Sequence, residues 1–194
     1  MVKLEDGTGG GSDARIDKNN RLHVRALIES EAEGATDIGD SYNVNTGLIS
    51  SVDSASALLY IKNNEDQTVV VTAIAMGIGS GTPTNPAVLT VVRNPTAGTI
   101  IDNAVVADLN QNRNFGSNQS LAADIYKGVN GDTFTNGDDF ALFFQTHNGR
   151  LFAGFELEMT KGDSLGLVLD PQIRLGSGSV VTYMALILHL KEAE

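Results

Sequence analysis

Apolar residues come in short runs separated by polar, turn-forming clusters, and this rhythm sets the expected elements. Strands are expected near Tyr42–Asn45, Ala57–Lys62, Thr68–Ile78, Val88–Arg93, Thr99–Ile101, Ala141–Gln145, Leu151–Met159, Ser164–Leu169 and Val180–Leu190. These runs are rich in Val, Ile, Leu and Thr, which suit a pleated, half-buried surface. No window of 15 or more residues sustains the 3.6-residue period of an amphipathic helix. Asn63-Asn64-Glu65-Asp66 and Asn94-Pro95-Thr96-Ala97-Gly98 read as turns between strands. Asn-Gly pairs at 130–131, 136–137 and 148–149 mark tight turns, because both residues tolerate positive φ. Many short strands punctuated in this way make an all-β chain, either a two-sheet sandwich or a barrel. Residues 102–140 are the least regular stretch and read as a long excursion carrying loops or a short helix, where a contact surface is expected.

Two domains are expected, an N-terminal arm at 1–40 and a β-sandwich at 41–194. Residues 1–14 centre on Gly7-Thr8-Gly9-Gly10-Gly11-Ser12 and read as a flexible leader. One strand is expected at Leu22–Ile28. Charge then separates along the arm. Residues 13–25 hold four basic and two acidic side chains, whereas residues 26–40 hold five acidic ones and no basic one. Such a segment is either a solvated arm or one that docks on another protein.

Composition narrows the function without naming it. The 194 residues carry 13 Lys and Arg against 24 Asp and Glu, a formal charge of −11. That balance argues against nucleic acid as a partner, since phosphates need a positive surface. The absence of cysteine removes disulfides, thiolate metal sites and cysteine nucleophiles together. No run is long enough for a membrane-spanning helix, and the N-terminus has no apolar signal-peptide core. No cofactor and no membrane partner are expected.

Chemical constellations are sparse. His23, His147 and His189 are far apart and lack metal-ligand spacing. Gly77-Ile-Gly79-Ser80-Gly81 places its serine one position too late for a nucleophile elbow and does not complete a dinucleotide fingerprint. Asp132 to Asp139 resembles half a calcium loop, but Phe134 and Phe143 stand where oxygen ligands are needed, so turn chemistry is the default. Glu156 and Glu158 share one strand face, as glycosidase carboxylates would, yet the chain has no tryptophan platform for sugar. No catalytic or metal-binding residues are assigned, and the chain is read as a non-enzyme.

Several segments carry a resemblance. They are Arg15-Ile-Asp-Lys-Asn-Asn-Arg-Leu-His-Val-Arg25, Glu29-Ser-Glu-Ala-Glu33 and Ile38-Gly-Asp-Ser-Tyr-Asn-Val-Asn-Thr-Gly47. Leu59-Tyr-Ile-Lys-Asn-Asn64, Val92-Arg-Asn-Pro-Thr-Ala-Gly-Thr99 and Asn112-Arg-Asn-Phe-Gly-Ser117 continue it. Together they resemble tailed-bacteriophage virion structural proteins. The resemblance implies a jelly-roll-like sandwich on the capsid exterior, made in the host cytoplasm and acting as a decoration or cement protein. The major capsid protein is then the expected partner and a homo-oligomer, favouring a trimer, the expected assembly. Val180–Leu190 either closes an oligomer interface or is a central strand buried on both faces. Within the arm, Arg15, Lys18, Arg21, Leu22, Val24 and Arg25 are the candidate docking residues. Phe115, Tyr126 and Phe134 are the candidate exposed contact loop. The rival readings are a tail-fibre or receptor-binding component and a carbohydrate-binding module.

Overall fold

The computed structural model describes residues 15–16, 22–23, 30–79, 85–173 and 178–191. The chain divides into two compact units, Met1–Ser30 and Glu31–Glu194. The described part of the first is a short antiparallel pair, β1 (Arg15–Ile16) and β2 (Leu22–His23), with Arg15 opposite His23 and Ile16 opposite Leu22. This division falls at Ser30, whereas the sequence reading places it at residue 40. Residues 31–38 form helix α1 (Glu31–Ile38), whose Ala35 is fully buried and which packs on the sandwich. Gly39 ends the helix at φ 90°, donating to the Thr36 carbonyl at 3.2 Å, while Asp40 N–H donates to Ala35.

The second unit is an antiparallel β-sandwich of two sheets. Its strands are β3 (Ser41–Asn45), β4 (Ile49–Val52), β5 (Ser56–Asn63), β6 (Val69–Ile78), β7 (Ala87–Arg93), β8 (Leu109–Asn112), β9 (Ala123–Lys127), β10 (Asp138–Gln145), β11 (Arg150–Met159), β12 (Ser164–Asp170) and β13 (Val180–Leu190). One sheet runs β11-β6-β13-β3-β8, with β4 also paired to β13, and the other runs β10-β7-β12-β5-β9. The pairings nest: β3 with β13, β5 with β12, β6 with β11 and β7 with β10. Lateral joins of β6 to β13 and β7 to β12 complete the order, which is that of a jelly roll.

The core lies between the sheets. Val44, Leu59, Ile61, Val71, Ile74, Met76, Leu89, Val91, Leu167 and Leu186 are all fully buried in it. β13 is a central strand flanked by β6 on one side and β3 and β4 on the other, and most of its side chains are buried within the chain. Asn63 anchors the β5–β6 turn from within. Its amide donates to Met159 O at 2.8 Å and Gln67 O at 3.0 Å, and its carbonyl accepts Glu65 N–H at 2.8 Å. Both amide hydrogens and the carbonyl oxygen thereby find a partner at this buried site.

Eight expected strands appear with bounds shifted by up to three residues, and one does not. Thr99–Ile101 lies in a single helical turn, α2 (Thr99–Asn103). Gly98 at φ 142° starts the turn and Ala104 at φ 47° ends it, so the extended run its Thr-Ile-Ile composition favours is cut at both sides. The excursion is also more ordered than its composition predicts: it contributes β8 to one sheet and β9 to the other. The expected strand at Leu22–Ile28 is seen only as Leu22–His23, its remaining residues lying outside those described.

Candidate interaction surfaces

The outer face of the five-stranded sheet carries a second, smaller cluster. Ala57, Tyr60 and Ile100 are buried there, with Ile101, Tyr126, Phe134 and Val168 packed against them. Tyr60 stacks on Tyr126 with centroids 5.6 Å apart and meets Phe134 at 6.2 Å. Gly166 lies beneath Phe134 so closely that any side chain there would strike the ring. Gly98 plays the same part for the neighbouring loop, since a Cβ there would meet the Thr133 carbonyl. Burial pushes the Tyr60 hydroxyl above its ordinary pKa, with a hydrogen bond to Ser164 working in the opposite direction.

Tyr126 and Phe134 are half-buried and committed to that cluster, whereas Phe115 is 100% exposed. Phe115 follows a turn fixed by Asn112 and Asn114, whose side-chain carbonyls accept the N–H groups of Asn114 and Gly116 at 2.9 Å. Of the candidate docking residues in the arm, Arg15 sits in β1 and Leu22 in β2. Lys18, Arg21, Val24 and Arg25 lie outside the described residues.

Most of the remaining chemical candidates sit in turns and at strand ends. Asp132 accepts Val129 N–H at 2.8 Å, while Asp138 and Asp139 begin β10 opposite Arg93 and Val92. Among the described residues no group of three His, Asp or Glu could hold a metal ion. The Nε2 of His147 donates to the Pro171 carbonyl at 2.8 Å, and His189 is buried in β13 opposite Ser41 and Val70. Gly77 lies under the Tyr183 ring and Gly79 N–H donates to Val181, while Ser80 and Gly81 lie outside the described residues. Glu156 and Glu158 are both exposed, and Glu158 pairs with Lys191 at 2.8 Å. At the β11–β12 turn, Asp163 accepts the Thr160 hydroxyl at 2.7 Å and its N–H at 2.9 Å. The hydroxyl bond is the chief reason the Asp163 carboxyl is held below the usual range.

A surface that the strand pattern did not single out lies on the opposite flank. β10 and β11 terminate the two sheets side by side, and Phe155 of β11 meets Phe140 at 5.8 Å and Phe143 at 6.4 Å across the gap. Among the described residues neither strand has a partner on its outer side. Their inward side chains are only half-buried, and Phe140, Leu142, Phe144 and Phe152 are 49%, 56%, 68% and 68% exposed. The signal was present in the sequence. Phe140-Ala-Leu-Phe-Phe144 is apolar in both phases of the strand alternation, a pattern otherwise read as a strand covered on both faces.

The sequence matches no protein-family model and no curated protein.

Proposed function

We propose that this chain is a non-enzymatic structural protein of a tailed-phage virion that decorates or cements the outer capsid surface. The observation that carries the reading is the pair of long, apolar edge strands, unpartnered among the described residues, on a jelly-roll β-sandwich. Surfaces of this kind bind other proteins, because burying exposed apolar area is the main driving force of association. A separate unit at Met1–Ser30 and the segments that resemble phage virion proteins support the same role. The major capsid protein is the proposed partner, reached through that N-terminal unit.

The deciding measurement is the copy number of the chain in purified particles, by quantitative peptide mass spectrometry against the major capsid protein. Hundreds of copies are expected. A dozen or fewer would transfer the chain to the tail as a fibre or receptor-binding component, for which exposed Phe115 is the candidate contact.

A further inference from the structure

The flank formed by β10 and β11 is more specific than an apolar patch. Each strand carries one irregularity, at Asp139/Ala141 in β10 and at Gly154/Leu157 in β11. Both lie toward the same end of the flank, as the Phe140–Phe155 contact shows. Bulges interrupt edge pairing, so that end is blunted. Beyond them the strands run in unbroken register, Ala141 to Gln145 against β7 and Arg150 to Gly154 against β6. The molecule therefore presents two regular strand edges side by side, centred on Phe143 and Phe152.

From this we infer that the β10–β11 flank is the self-association surface of the chain, and that its occupant is the same flank of a second copy related by a twofold axis perpendicular to the strands. About that axis β10 runs antiparallel to its copy and β11 antiparallel to its copy, so both sheets continue from one protomer into the other. Phe143 faces Phe143 and Phe152 faces Phe152, while Leu142 lies opposite Phe144 on one sheet face. Aromatic and aliphatic side chains placed directly across an antiparallel pair are favourable cross-strand neighbours.

Charge selects this orientation. Asp138, Asp139, Glu156 and Glu158 all stand at the blunted end, and Arg150 stands at the other. Lys191 already pairs with Glu158, and Arg93 stands opposite Asp138 in the ladder, which leaves Asp139 and Glu156 as the main uncompensated charges. The perpendicular axis carries the acidic end of each protomer to the Arg150 end of the other. An axis along the strands would instead bring the acidic ends together, and like charges in such a contact oppose association. Leu142 and Phe144 lie on the outer face of one sheet and Phe152 on the outer face of the other, so each gains an apolar cross-strand neighbour over the seam. The strand edges and the half-buried Leu151 and Phe155 lie beside them.

The pairing stands or falls apart from the virion reading, since it requires only the purified chain. Sedimentation equilibrium of the full chain up to about 100 μM, a range that detects weak as well as tight self-association, is expected to show a monomer–dimer equilibrium. Phe144→Lys and Phe152→Lys, both at exposed positions, should each weaken it at least tenfold, while Phe115→Lys leaves it unchanged. A chain that stays monomeric throughout would overturn the inference. So would a dimer indifferent to both flank substitutions, or a trimer in place of a dimer.

Discussion

The two flanks of the sandwich treat the same problem in opposite ways. Any sheet that does not close on itself ends in strands with unsatisfied backbone groups, and these recruit neighbours unless they are protected. On one flank the ends are β8 and β9, of four and five residues. β8 reads Leu-Asn-Gln-Asn and is largely exposed, and β9 is covered by the Val106 bridge to Tyr126. Next to them α2, Tyr60 and Phe134 add a second apolar layer to the outer face. On the other flank β10 and β11 have eight and ten residues, carry most of the chain's phenylalanines and, among the described residues, have no strand or helix laid over them. An excursion of some forty residues covers one flank, while the other, bare among the described residues, is the one proposed above for self-association.

Substitutions on the covered flank should have the largest effects on stability. Ile100→Ala removes a buried side chain from the outer cluster and should cost about 3 kcal/mol in chemical denaturation. Phe134→Ala, at a half-buried position, should cost about 2 kcal/mol, and its cavity should be partly recovered by Gly166→Ala, whose methyl group enters the space the ring vacates. A strictly additive double mutant would show that the ring is not seated on Gly166.

At the turn leading away from the bare flank, Asp163→Ala should cost about 1 kcal/mol at pH 7, the bond being partly solvent-screened. The sign of its pH dependence follows from the lowered carboxyl. Stability from Asp163 is present above the ordinary aspartate range and disappears as pH falls through the lower folded value. The wild-type and Asp163→Ala proteins should therefore converge in strongly acid solution. Asp40, raised chiefly by burial and then by the Glu65 charge, runs the other way and loses its contribution as pH rises through the folded value. The smallest stability effects belong to the bare flank. Phe144→Lys and Phe152→Lys should move the monomer's unfolding free energy by no more than about 0.5 kcal/mol, since neither side chain is buried in one copy.

Much of the sandwich is legible from the chain because most of its strands are apolar runs between turn residues. What was hidden depends on tertiary partners. α1 rests on one fully buried residue, Ala35, within an acidic segment that otherwise reads as solvated. β8 is too polar to register as a strand and exists because β3 offers it an edge. The outer cluster is hidden for a related reason, since Tyr60, Tyr126 and Phe134 are up to 74 positions apart and meet only when β5, β9 and the loop after β9 are in place. The bare flank was hidden differently: its strands were recognised, but period-two patterning does not say which strand ends a sheet.

The nested order also governs how the molecule can be made. The first strand of the sandwich pairs with the last, and Leu190 N–H closes on the Asp40 carbonyl at 2.8 Å. β3 therefore has no central neighbour until β13 has left the ribosome, and the six-stranded sheet cannot close during synthesis of the chain before it. Long loops must be closed before such pairings are rewarded, which makes folding slow, on the order of milliseconds to seconds. During that interval the apolar strands meant for the middle of a sheet are themselves edges, and the first chance of a wrong partner comes before there is a right one.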